Sequence, residues 1–184
     1  PNLAEWFNDS DMNDTATVGG KGASLGEMFQ KLSGIGVKVP NGFTLTTAAF
    51  NLFVNAEIPA TIWNNIGAPE DIEDLRNAAI NCPTLASALE VCLRDADPKD
   101  HLNLNSRATL ARSLVRETPV PDEIKQVISQ EYSKLCELYH PGVDVAVRSS
   151  ATTEDSAEAS FAGQYESYLN VSGEQDIVLS LIHI

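Results

Sequence analysis

The chain has 184 residues, enough for one sizeable core, and its 43% apolar content is that of a folded protein rather than a disordered one. With 26 acidic against 12 basic residues the formal charge is −14, so the overall field repels nucleic acid and anionic membranes. A polyanionic ligand must instead be met by a local set of backbone donors and one or two cations.

Three cysteines, Cys82, Cys92 and Cys136, form no CxxC pair and have no neighbouring histidine, so they read as reduced packing residues. No apolar run approaches the roughly 20 residues of a membrane span. The N-terminus has no basic region followed by an apolar stretch. These features point to a soluble, cytoplasmic protein without membrane or nucleic-acid partners.

In chain order, Trp6-Phe7 and a polar run lead to Val18-Gly19-Gly20-Lys21-Gly22 and a helical pattern. Leu25, Met28, Phe29 and Leu32 fall at i, i+3, i+4 and i+7, predicting one apolar stripe on a helix that Gly34 and Gly36 end. Residues 37–47 look extended around a Pro40-Asn41-Gly42 turn, and a second helix from about Thr47 should carry Phe50 and Phe53 inward. Residues 58–140 are helical in pattern. Leu75 and Ala79 suit one helix, Leu110 and Leu114 another, with a charged surface insertion at about 91–105 between them.

The clearest helix of this stretch starts at Pro121 with Asp122 and Glu123 in its first turn, where the helix dipole favours acids. Ile124, Val127, Ile128, Leu135 and Leu138 are its predicted buried face. Val143, Val145 and Val147 then alternate with polar or small residues. They share one strand face while Arg148 points to the other with Ala146. A polar loop over 149–163, a strand over 165–171 and a final helix capped by Ser172 complete the chain. Ile177, Val178 and Leu181 form that helix's apolar face.

Three constellations carry chemistry. Gly19-Gly20-Lys21-Gly22 opens a helix, where glycines let backbone N–H groups approach a phosphate and Lys21 adds a full charge. The alternative is a flexible turn with a solvated lysine. It is not a Walker A loop, because Thr15 and Gly22 stand where that pattern needs a glycine and a Ser or Thr. Arg148 ends a strand with a planar fork suited to phosphate oxygens, or else pairs with Asp144 or Glu154. Glu154 and Asp155 in the following loop could hold Mg²⁺ or stand as solvated charges. In Ala159-Ser160-Phe161-Ala162-Gly163-Gln164, Gly163 allows the backbone to turn over a nucleotide or simply bends a hairpin. Ser167, on one strand face with Tyr165, can donate to phosphate. None of His101, His140 and His183 is placed as a phosphoryl carrier.

Three strings in this order, Val18 to Met28, Ala146-Val147-Arg148-Ser149-Ser150-Ala151 and Ala159 to Gln164, resemble the N-terminal ATP-binding domain of the dikinase family. That family includes phosphoenolpyruvate synthase (pyruvate, water dikinase), pyruvate phosphate dikinase and rifampicin phosphotransferase. Trp6-Phe7-Asn8, Met12-Asn13-Asp14, Val39-Pro40-Asn41-Gly42-Phe43 and the Leu25-Gly26-Glu27-Met28 ending are most similar to the synthases. The similarity covers about residues 5–55 and 120–178, while the stretch from about 58 to 118 is less familiar.

The resemblance implies an α+β fold, the N-terminal lobe of an ATP-grasp domain, with ATP and Mg²⁺ as cofactors. It implies transfer of the ATP β-phosphoryl group to a histidine on a separate swivelling domain, and then to pyruvate on a barrel domain. Lys21 would contact ATP phosphates, Arg148 would stabilise charge on the transferring group, and Gly163 and Ser167 would line the nucleotide loop. The metal-binding acids and adenine contacts would come from a later lobe beyond Ile184, so the chain alone is expected to be an inactive truncated piece of a full-length enzyme, which could be a homodimer. The remaining readings are another dikinase-type ATP domain, of the antibiotic phosphotransferase or pyruvate phosphate dikinase kind, and a non-catalytic nucleotide-binding module.

Overall fold

The computed structural model describes residues 1–67, 69–153, 155–156, 159–160 and 165–183. It divides into two compact units, one made of Pro1–Asn51 with Asp122–Ile184 and the other of Leu52–Pro121. The α+β expectation holds: helices dominate, and the strands form three separate two-stranded antiparallel ladders among the described residues.

In the first unit, β1 (Ala4–Trp6) pairs with β2 (Phe43–Leu45) in the register Ala4↔Leu45 and Trp6↔Phe43. Directly opposed side chains share a face, and the Trp6 and Phe43 rings meet with centroids 6.1 Å apart. Between the two strands runs α1 (Thr15–Ser33). Asp11 fastens the turn before it, accepting from the Asn13 N–H at 2.7 Å while its own N–H donates to Asp14 Oδ2 at 2.8 Å.

The buried residues of α1 are Val18, Gly19, Gly22, Ala23 and Gly26. The expected Leu25/Met28/Phe29/Leu32 stripe is only half-buried, and Met28 is 45% exposed. Small residues win that face because neighbouring backbone is drawn in against it, which larger side chains would prevent. Helix α2 (Thr47–Val54) follows. It buries Ala49 and half-buries Phe53, but Phe50 is 63% exposed, correcting the inward reading. Residues 49 and 53 are one turn apart on one line, and Phe50 is turned about 100° from Ala49.

Helix α6 (Asp122–Leu138) buries Ile124, Ile128, Tyr132 and Leu135, a stripe at i, i+4, i+8 and i+11. Val127 is half-buried, and Leu138, the last helical position, is 55% exposed because a helix end has packing neighbours on one side only. Tyr132 completes the stripe. Its hydroxyl donates to the Val143 carbonyl at 3.0 Å and accepts from the Gly173 N–H at 3.0 Å, tying α6 to both neighbouring segments. Trp6 Nε1 donates to Glu131 Oε2 on the same helix at 2.6 Å.

β3 (Val145–Arg148) pairs antiparallel with β6 (Ser167–Val171), matching Val147 with Tyr168 and Arg148 with Ser167. Val147 is buried while Ala146 and Arg148 face outward, as the alternation predicts. Within the expected loop, β4 (Asp155–Ser156) and β5 (Ala159–Ser160) form a short ladder. Tyr165 precedes β6 rather than belonging to it. Helix α7 (Glu174–His183) buries Ile177 and half-buries Val178 and Leu181. Gly173, rather than Ser172, directly precedes it.

The second unit is helical. α3 (Glu73–Ala79), α4 (Leu85–Leu93) and α5 (His101–Glu117) pack around a core that includes Trp63, Ile72, Leu85, Leu110 and Leu114. Thr84 starts α4 through a reciprocal cap with Ser87. Arg76 donates to the Ile66 and Trp63 carbonyls at 2.8 and 2.9 Å. Arg107 does the same for Cys92 and Arg94, at 3.1 and 2.9 Å, satisfying carbonyls at the end of α4. The 91–105 stretch covers the end of α4, a turn-rich connection and the first turn of α5, which Asp100 caps by accepting from Asn103 N–H. Cys92 is fully buried, and Cys82 and Cys136 are half-buried. No helix among the described residues is long and apolar enough to cross a membrane.

Candidate functional site

The site starts from a break inside α1. Gly19 adopts φ 75° and ψ 172°, so the helix stops and restarts there. That backbone conformation is open essentially to glycine alone. Space makes the same demand, since a Cβ at position 19 would lie 1.9 Å from the Ser150 carbonyl oxygen.

Across this close approach the two segments are laced together. The Gly20 N–H donates to the Ala151 carbonyl at 3.1 Å, and the Gly22 N–H donates to Ser150 Oγ at 2.8 Å. Ser150 Oγ donates in turn to the Val18 carbonyl at 2.6 Å. Lys21 Nζ donates to Ser149 Oγ at 3.1 Å. The glycine-rich turn is therefore seated on the residues that immediately follow β3. Two of the amides that the sequence offered to a ligand, those of Gly20 and Gly22, are satisfied within the protein.

Arg148 is the residue before Ser149, so the lacing brings the Lys21 segment to the end of the Arg148 strand. Its side chain is exposed, and among the described residues it forms no ion pair with Asp144. Glu154, the other partner weighed for it, lies outside the described residues. Ser167 stands directly opposite Arg148 in the β3–β6 ladder, which puts both side chains on one outer face. Three of the four candidate residues, Lys21, Arg148 and Ser167, thus belong to one contiguous neighbourhood of the first unit. Gly163, the fourth, lies outside the described residues with Phe161, Ala162 and Gln164.

Lys21 reaches Ser149, the residue that follows Arg148, in a chain of charge −14, where an anionic ligand needs local cations. Among the described residues no set of three or more His, Cys, Asp or Glu side chains could hold a metal ion. A separate groove of about 300 Å³, lined by Asp11, Met12, Asn13, Glu27, Gln30 and Lys31, is mixed in charge, with Lys31 paired to Glu27. Ser150 is the residue whose part was not legible beforehand. Sequence placed it among loop hydroxyls, and nothing local reveals a partner 132 positions away.

Residues 15–184 match the family described as "Pyruvate phosphate dikinase, AMP/ATP-binding domain". The chain belongs to that family. Among its relatives are phosphoenolpyruvate synthases from Synechocystis sp., 40% identical over 174 residues and 92% of this chain, and from Escherichia coli K12, 36% identical over 182 residues and 99% of this chain. The synthase of Aquifex aeolicus is 35% identical over 97% of this chain. The matches cover 18%, 20% and 18% of those relatives, so this member of the dikinase ATP-binding family spans about a fifth of their length. Two of the three strings that carried the resemblance, around Lys21 and around Arg148, are segments that the fold laces together; the third, Ala159 to Gln164, lies largely outside the described residues.

Proposed function

We propose that this chain is the nucleotide-binding part of a pyruvate, water dikinase, an enzyme converting ATP, pyruvate and water to AMP, phosphoenolpyruvate and phosphate. The single observation that carries the reading is the seating of Lys21 on Ser149, one residue past Arg148, in a chain otherwise strongly acidic. Two cations at one strand end are what phosphoryl transfer asks of a protein, since that chemistry is mostly positioning and electrostatic stabilisation. Lys21 holds the polyphosphate as a point charge, and Arg148 offers its planar fork to the transferring group. Ser167, facing the same way as Arg148, donates a hydroxyl, and Gly163 is assigned to nucleotide binding by its motif alone.

The lobe is read as the N-terminal part of an ATP-grasp domain of a cytoplasmic enzyme. The acceptor histidine and the pyruvate site belong to further domains of the parent enzyme, and the acids that hold Mg²⁺ belong to the later lobe of the same ATP-binding domain. The metal would neutralise phosphate charge. Among the described residues no group of three or more His, Cys, Asp or Glu side chains could hold it.

The test uses the full-length enzyme. Lys21→Ala and Arg148→Ala should each slow ATP-dependent protein phosphorylation by about 10- to 150-fold, the loss of one charge-assisted hydrogen bond, with unchanged circular dichroism. Wild-type rates in both variants would remove the assignment. The 184-residue chain by itself should bind Mg-ATP weakly or not at all in calorimetry, and micromolar affinity would show that the site is misplaced.

A further inference from the structure

Lys21 and Arg148 come from segments with no covalent reason to be adjacent, and something must hold them in register. Ser149 touches the lysine directly, but its contact ends on a long flexible side chain. Ser150 makes the contacts that fix backbone. Its hydroxyl donates to the Val18 carbonyl at 2.6 Å and accepts from the Gly22 N–H at 2.8 Å, so it grips the chain on both sides of the Gly19 break. Its own carbonyl fills the space that any side chain at position 19 would need. Because Lys21 sits between the gripped residues, its Cα position is set by Ser150.

We propose that Ser150 is a positioning residue for the nucleotide site, holding the Gly19–Gly22 turn against the end of β3 so that the Lys21 ammonium stands on Ser149, the residue after Arg148. The proposal rests on the function given above and deepens it. Ser150 takes no part in the chemistry and acts through Lys21. Its one donor and one of its two acceptor lone pairs are engaged by backbone, which is the pattern of a clasp.

A double-mutant cycle in the full-length enzyme tests it, reading kcat/KM for ATP in protein phosphorylation. Ser150→Ala should lower that value by on the order of tenfold to a hundredfold, the scale of a misplaced catalytic group. In a Lys21→Ala background the same change should cost less than about threefold, because a misplaced residue that is already absent cannot be lost twice. Ser150→Thr, which keeps the hydroxyl, should recover most of the activity. If Ser150→Ala is too unstable to assay, Ser150→Cys replaces it with the same expectation. A wild-type Lys21→Ala rate would sink this inference, and the functional reading would fall with it only if Arg148→Ala were also wild type. An impaired Lys21→Ala enzyme combined with a wild-type Ser150→Ala enzyme, with fully multiplicative losses, or with a Thr variant as slow as the Ala variant would sink the positioning role alone.

Discussion

Replacing Gly19 by alanine perturbs the structure in two ways that can be separated. The backbone at φ 75°, ψ 172° is available almost only to glycine, and forcing another residue there costs on the order of 1–3 kcal/mol. The new Cβ would also stand 1.9 Å from the Ser150 carbonyl oxygen, so the 149–151 segment must retreat by about an ångström, an overpacking cost of about 1–3 kcal/mol. Gly36 supplies the control, because it too has positive φ, 85°, but nothing lies within 4 Å of a Cβ built on it. Gly36→Ala should therefore cost only the backbone part, about 1–2 kcal/mol.

Hydrogen exchange resolved by peptide reads these costs in the first unit apart from the second. Amides of α6 should exchange roughly 30-fold to 10⁴-fold faster in Gly19→Ala and about 5- to 30-fold faster in Gly36→Ala, at tenfold per 1.4 kcal/mol. Equal acceleration in the two variants would show that the approach to Ser150 carries no energy. No acceleration in Gly19→Ala would refute the close approach itself.

Three further outcomes follow from contacts elsewhere. Tyr132→Phe removes both the donor to Val143 and the acceptor for Gly173, costing about 1–2 kcal/mol, and should lower the Tm by roughly 2–8 °C in a thermal scan, whereas an unchanged Tm would mean the clasp is replaced by water. Burial, with Cys82 nearby and only partly opposed by Arg107, pushes the Cys92 thiol up to about 11. Iodoacetamide at pH 8 should accordingly label Cys82 and Cys136 first and Cys92 only after denaturation, as read by peptide mass. The Glu5 carboxyl is raised by burial and then by Asp14 and Asp9. Its ionised form thus costs stability at neutral pH, and that cost disappears as the pH falls through the unfolded value near about 4.3. Glu5→Gln should raise the Tm at pH 7 and lose that advantage on acidification; a gain that grows at low pH would reverse the sign of the argument.

Much of the molecule could be read along the chain. The α6 stripe, the β3 alternation that turns Arg148 outward and the helices around Leu75 and Leu110 are consequences of period, and period is a local property of sequence. The family resemblance likewise rests on short ordered strings. Helix α4 was within reach as well, since Thr84 and Ser87 form a visible N-cap and third-position pair at the start of a helix that buries Leu85, Ala88 and Cys92.

Burial of α1 could not be read in this way, because its larger apolar residues point to one face and its small ones to another. Which face is buried depends on what arrives from elsewhere. Backbone from residue 150 closes on Gly19, and a glycine's usefulness for such contact leaves no trace in hydrophobic periodicity. The same holds for the candidate site. Composition and charge said only that an anionic ligand would need a local reversal of sign, and the residue types at Lys21, Arg148 and Ser167 made them candidates for that role. Their meeting was settled by hydrogen bonds between segments more than a hundred positions apart, and by a strand register that sets Arg148 opposite Ser167. Such pairings follow from chain folding as a whole, because each depends on packing that neither partner encodes alone.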